Sequence, residues 1–303
     1  MGGARGTGAS LMIGGQAVIE GVMMRAPRSL AVAVRRPDGG VAVLREPLLP
    51  LSDRWRVLRL PVVRGTPALL QSLAHGMRAL RFSATQAVAE EEVPNSLGMV
   101  LATSVAIASG IGLFFFLPLA LTQGAARLAP AIGAGFTFNL VDGLVRLGIF
   151  LVYLSMIALW SEIRRVFEYH GAEHMVVSAY EHGDPLTVAG ARAHSTRHPR
   201  CGTNFLLVVV AVSVLVFSFI PGPWGFVAKF LSRLALLPVV AGIAFEILRL
   251  GGRPRARWLA VPGYWLQALT TRPPSDDQIE VALRALREVL AMEGGVRGVH
   301  QAG

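Results

Sequence analysis

The sequence predicts a mainly α-helical, polytopic membrane protein with about four transmembrane helices, a small N-terminal β-hairpin region and a C-terminal amphipathic helix. Three observations predict it. Of 303 residues, 53% are hydrophobic and only 16% charged, a balance that suits a chain with modest parts outside the bilayer. Four apolar runs approach the ~20 residues that a helix needs to cross hydrocarbon. Between them the polar segments carry arginine on one side and almost none on the other.

The elements follow in order. LAVAVRR and VAVLREP flank Pro37, Asp38, Gly39 and Gly40, and alternating β-branched residues around an Asp-Gly turn predict a hairpin. From Thr66 to about Ala89, Leu69, Leu70, Leu73, Met77 and Leu80 recur at three- and four-residue spacing with Arg78 and Arg81 between them. That is an amphipathic helix suited to an interface. The apolar runs cover about 97–121, 138–160, 204–221 and 226–248. The second carries Asp142 and Arg146 one turn apart, close enough to pair on one face. After the basic segment GGRPRARW, Ser275 and Gln278 form a capping box for a helix whose apolar stripe is Ile279, Leu283, Leu286 and Leu290.

The chain thus divides into an N-terminal region (1–96), a membrane domain (97–250) with a histidine-rich loop at 161–203, and a tail (251–303). Twelve arginines precede residue 97, five lie in the central loop and seven follow residue 252, whereas the other two connections hold only Arg127. The positive-inside rule then places both termini and the central loop in the cytoplasm, with the protein in the cell membrane. The N-terminus has no apolar signal-peptide core, so insertion is expected through the internal helices. Gly2 is no myristoylation signal, because Gly6 stands where the pattern wants Ser or Thr. A net charge of +10 is spread over loops and helix ends, not concentrated in a basic stripe with aromatics. It therefore marks membrane orientation, and nucleic acid is excluded as a partner.

Five of the seven histidines and the single cysteine fall in YHGAEHMVVSAYEHGDPLTVAGARAHSTRHPRCG. His170, Glu173 and His174 form H-x-x-E-H, which sets two imidazoles on one helical face with a carboxylate beside them. Imidazole and thiolate are ligands for borderline-soft ions such as zinc. Candidates for a further ligand are His198, Cys201 and Glu246, an acid in or near the bilayer that could instead pair with Arg249. His182 and His194 lie outside the tight motifs, and His75 and His300 carry no argument. Glu20 is a lone acid in GGQAVIEGVMMR, either a surface turn or a segment folding back on the central loop.

GGQAVIEGVMMRAP, YHGAEHMVVSAYE, RHPRCGTNFLL and LQALTTRPPSDDQIEVAL resemble the YqhQ-like family, catalogued as domain of unknown function 1385. The resemblance runs from about Gly14 to Leu290. It implies a bacterial membrane protein predicted to be a metal-dependent enzyme, a prediction resting on these same histidine motifs, and it brings no substrate. Its pattern implies Gln16, Glu20, His170, Glu173, His174, His198, Arg200, Cys201 and Glu246 as the marked positions.

The expected function is an integral-membrane zinc hydrolase or peptidase acting on a membrane-associated substrate at the cytoplasmic face. Glu173 would be the general base and Arg200 a stabiliser of developing negative charge. The alternative is a metal-binding scaffold or sensor whose His/Cys cluster closes a structural site. The two readings differ in geometry. Four protein ligands around one point favour the scaffold, whereas three ligands with Glu173 beside an open position favour the enzyme. A transporter ranks third, since few intramembrane charges offer little pathway unless the protein forms a homo-oligomer.

Overall fold

A four-stranded antiparallel sheet opens the fold, in the order β1 (Gly14–Val18), β2 (Gly21–Arg25), β3 (Ser29–Arg35) and β4 (Val41–Pro47). The computed structural model describes residues 11–49, 58, 60–87, 96–133, 135–220, 224–251, 258 and 261–301. The hairpin expected around Asp38 is β3–β4, its turn closed by the Gly40 N–H donating to Asp38 Oδ1 at 2.8 Å. A second hairpin, β1–β2, precedes it, so the sheet is larger than the sequence reading allowed. Its two-residue turn lacks the usual Asn-Gly or Asp-Gly, and Glu20 occupies the left-handed region at φ 50°. The Glu20 carboxylate compensates by accepting two bonds from Arg165, both at 2.5 Å.

Side-chain alternation buries both faces of this sheet. Val22, Met24, Ala31 and Ala33 enter one core; Met23, Leu30, Val32 and Val34 enter the other. The second face is covered by α1 (Gly65–Ala87), which brings Ala79, Leu80 and Phe82. The expected amphipathic helix is therefore present, but its fully buried positions are small residues and His75, with Leu80 and Phe82 packed partly buried beside them. Leu70, Leu73 and Met77 remain exposed as an apolar stripe.

The first face is covered by α5 (Ser161–His182) and α11 (Asp276–Gln301). The helix expected around H-x-x-E-H is this 22-residue element, which takes up the first half of the histidine-rich segment 161–203. Gly183 stops it in a left-handed cap at φ 75°, with its N–H on Ala179 and Tyr180 carbonyls. The short α6 (Val188–Arg192) follows. The capping box of α11 forms as expected: the Ser275 N–H donates to Gln278 Oε1 at 2.8 Å, and the Gln278 N–H to Ser275 Oγ at 3.3 Å. Ile279, Leu283 and Leu286 of its stripe are buried against Tyr169, Ala172 and Val176 of α5.

The expectation of about four spans needs correction. Among the described residues, two helices are long and apolar enough to cross a bilayer. The first is Val100–Leu128, in which α2 (Ser96–Ile111) runs through a π-helical segment, Gly112–Phe116, into α3 (Leu117–Leu128). The second is α4 (Phe136–Ile157). A third span exists if α8 (Phe226–Ala235) and α9 (Leu237–Gly251) count as one helix bent by 46°. The break has a local cause, since Pro238 supplies no N–H to continue the ladder across it. The run expected at 204–221 makes only α7 (Thr203–Phe217), whose 15 residues reach roughly 22 Å at about 1.5 Å each, short of a ~30 Å core. α10 (Val261–Thr270) packs on α7 and leads into α11. The GGRPRARW segment lies largely outside the described residues, as does Gly2.

A candidate metal centre on the histidine helix

α5 brings His170 and His174 to one face, their ring centroids 4.4 Å apart. Both rings are held the same way. His170 Nδ1 lies 2.8 Å from the Thr270 carbonyl, and His174 Nδ1 lies 2.6 Å from the Thr196 carbonyl. A carbonyl can only accept, so each Nδ1 carries the proton and each Nε2 presents a lone pair. His170 Nε2 faces Cys201 Sγ at 3.3 Å. His174 Nε2 is buried without a hydrogen-bond partner, an arrangement that costs about 1–3 kcal/mol when nothing fills it. The two nitrogens and the sulfur all lie within 4.8 Å of one another. A tetrahedral zinc ion with two nitrogen ligands and one sulfur would set those edges near ~3.5 Å. The donor set, the fixed tautomers and the orphaned Nε2 all fit such an ion. Backbone carbonyls behind both rings are the outer-sphere support that metal-ligating histidines use.

Cys201 follows a turn clamped by α10. Gln267 accepts from the His198 N–H at 2.8 Å through Oε1 and donates to the His198 carbonyl at 3.0 Å through Nε2. Burial pushes the Cys201 thiol up to about 11, opposed by the Thr203 hydroxyl and N–H beside the sulfur. Burial also lowers His170, and lowers His174 well below the usual imidazole value, with His170 beside His174 adding to the effect.

Glu173 is 6% exposed and sits at the rim of this group, Oε2 3.5 Å from His174 Nε2. Burial pushes its carboxyl up to about 7; the nearby His198 and the Gly15 N–H both pull the other way. Gly15 of β1 is required for that approach, because a Cβ there would lie 2.6 Å from Glu173 Oε1. Its neighbour Gln16 points to the opposite face, over Gly76 of α1. The GGQAVIEG motif thus touches the centre through its backbone, while Glu20 anchors the hairpin to Arg165 and Tyr169 on α5.

The other candidates are placed differently. His198 is 5.7 Å from His174 by ring centroid, but its Nε2 lies 3.4 Å from Glu181 Oε2. Arg200 is ion-paired to Glu181 as well, so its charge is engaged there. Glu246 does not join the group. Its carboxylate accepts from Arg64 Nε and Nη2 at 2.6 and 2.5 Å, so it is an ion-pair partner as the alternative reading had it, but of Arg64 and not of Arg249. Asp142 pairs with Arg146 as its spacing suggested, at 2.8 Å. His182 and His194 approach at 5.0 Å away from the group, with His194 bonded to Asp184. Sequence reasoning missed Glu181, although it lies two helical turns from His174 on the same face. It also missed Thr196, Thr270 and Gln267, whose roles come from backbone or amide contacts that leave no motif.

A family model described as "Protein of unknown function (DUF1385)" matches residues 60–292. The uncharacterized protein YqhQ of Bacillus subtilis (strain 168) is 34% identical over 298 residues, covering 92% of each chain. No solved structure matches.

Proposed function

We propose that this chain, which belongs to the DUF1385 family, is a membrane-embedded metal-dependent hydrolase with its centre on α5. One observation carries the reading: half-buried His170 and buried His174, locked by the Thr270 and Thr196 carbonyls, keep their Nε2 lone pairs free, that of His170 lies on Cys201 Sγ, and the ligand atoms of all three residues lie within 4.8 Å of one another. Three such ligands with a carboxylate alongside are the pattern of a reactive site, not of a closed structural one. A zinc-class ion held there would supply Lewis acidity to a water and a carbonyl group.

The chain's own residues do the rest. Glu173 takes the proton of the attacking water, because its burial sets it to hold and release a proton near neutrality. The Gly15 N–H orients that carboxylate. Thr196 and Thr270 keep both imidazoles in the ligating tautomer. The substrate class is a carboxylic acid derivative, a peptide above all, reached from the membrane surface. Arginine asymmetry puts that surface on the cytoplasmic side of the cell membrane, with both termini there. Exposed Leu70, Leu73 and Met77 of α1 suit the same interface.

The scaffold reading keeps one observation in its favour: His198 lies near enough to His174 to become a fourth ligand after a ring rotation. Glu173→Gln separates the two. In the enzyme it leaves metal content normal and lowers hydrolysis, or complementation of a deletion, by ~10²-fold or more. In a structural site it is silent, and His198→Ala loosens the metal instead. A Glu173→Gln protein with full metal and full complementation ends the hydrolase reading.

A further inference from the structure

At the other end of α4 from the histidine helix lies a second cluster of ionisable groups. Asp142 of α4 is 1% exposed and accepts from two guanidinium groups. Arg146 Nη2 reaches Oδ2 at 2.8 Å and Arg233 Nη1 reaches Oδ1 at 2.7 Å. Arg146 also donates to Ser213 at 2.9 Å, and Arg233 to Asn139 Oδ1 at 2.9 Å. Arg146 and Arg233 are 5% and 1% exposed, and the Nε of each is buried without a partner. Lys229, one turn before Arg233 on α8, rests its ammonium 4.8 Å from the centre of the Phe138 ring. Among the described residues it has no carboxylate partner. Two guanidinium groups thus flank one anion inside the apolar bundle, and the half-buried Lys229 stands one turn from them on Phe138.

An excess of buried positive charge is costly in hydrocarbon and marks a functional position by default. Here it opens onto a cavity. Asn139, Phe138, Ile220, Lys229 and Arg233 line a space of about 10 Å³, room for one water-sized group. Arg233, almost fully buried and with an unsatisfied Nε, belongs to that lining. The depth is also informative. α4 begins at Phe136, so Asn139 stands about one turn inside its first end, within reach of a headgroup lying over that end of a spanning helix. The metal centre follows the helix's far end, roughly 27 Å away at about 1.5 Å per residue.

We infer that Lys229, Arg233 and Asn139 form an anion site that takes one oxygen of a phosphate group, supplied by a phospholipid headgroup from the leaflet opposite the metal centre. Phosphate suits the donors, since ammonium and guanidinium give it charge-assisted bonds. The two phenylalanine rings already stacked on Arg233, Phe138 and Phe217, keep water from competing. Lys229 and Arg233 both turn to Phe138 from α8, and a bound headgroup would hold α8 against α4 there.

The test uses full-length, delipidated protein in detergent with a chelator present, so that the metal centre plays no part. Thermal unfolding is followed while dioctanoylphosphatidylglycerol, dioctanoylglycerol, sodium phosphate or sodium chloride is titrated at matched ionic strength. The expected result is saturable stabilisation by dioctanoylphosphatidylglycerol and none by dioctanoylglycerol. Lys229→Met should weaken it about tenfold, the loss of one charge-assisted contact, and Lys229→Arg should restore it. Equal stabilisation by phosphate alone keeps the site and makes its source a free anion. Equal effects of dioctanoylglycerol or of chloride overturn the inference, as does unchanged affinity in folded Lys229→Met. Should Lys229→Met not fold, the wild-type comparison of the two lipids decides alone.

Discussion

Zinc uptake by the metal-free protein should release the Cys201 proton and tighten by at least about tenfold for each pH unit from about 7 to 10. The perturbation is pH itself, and the reasoning starts from the protonation of the three ligands. Burial holds His170 and His174 below the ordinary imidazole range, so both are neutral at pH 7 and bring no proton to lose. The Cys201 thiol, pushed up to about 11, is protonated throughout and must ionise to bind. At pH 7 that ionisation lies about four units uphill, which costs about 5 kcal/mol; at pH 9 the cost falls to about 3 kcal/mol. The apparent affinity therefore rises about a hundredfold over those two units. Competition against a chromophoric chelator gives the affinity. Calorimetry in two buffers of different ionisation heat gives the proton count. In Cys201→Ser the count falls by one and the pH dependence above about 8 weakens. A wild-type affinity that ignores pH would remove Cys201 from the ligand set, whereas a second proton released near pH 7 would come from Glu173 or from a metal-bound water.

Three further outcomes are expected. Gly15→Ala drives the new methyl into Glu173, so metal content stays normal while stability falls by about 1–3 kcal/mol from overpacking and hydrolysis by ~10²-fold; metal analysis with chemical unfolding checks it. A cytoplasm-active reporter fused at residue 185 should give signal and one at residue 130 should not, and the reverse pattern would put the metal centre outside. Glu288 is held below the usual carboxylate range first by its hydrogen bond from Arg45, so its contribution is complete above its unfolded value and is lost as pH falls through the folded one. Glu288→Gln should then cost about 1 kcal/mol at pH 7, given the half-exposed Arg45, and should flatten the acid limb of the stability curve.

What could be read from the sequence was what local chemistry decides. The Asp38 turn, the periodicity of α1, the Ser275–Gln278 capping box and the shared face of His170 and His174 depend on residues within a few positions of each other, and all four are present. The first hairpin was hidden because its turn runs against local preference. Nothing near Ile19 favours a left-handed Glu20; Arg165, 145 residues away, holds it. Hydropathy, for its part, counts apolar residues without asking whether the helix stays whole, so α7 and the α8–α9 pair passed as full spans when one is short and the other bent.

The site divides along the same line. Spacing could nominate His170 and His174 because helical geometry alone makes them neighbours. Choosing among His198, Cys201 and Glu246 was beyond it, since each is brought to its place by a partner distant in the chain. Arg64 takes Glu246, and Glu181 stands against His198. Gln267 clamps the backbone at His198, and the turn that follows carries Cys201 to the His170 ring. The two carbonyls that set the imidazole tautomers belong to Thr196 and Thr270, and a backbone carbonyl is the same for every residue type. That makes the grouping that could hold a metal, two tautomer-fixed imidazoles beside one thiol, a property of the folded chain that no motif could have displayed. It also explains why GGQAVIEG accompanies the histidine motif. Gly15 is where the sheet comes closest to Glu173, and a side chain at that position would close the gap the carboxylate occupies.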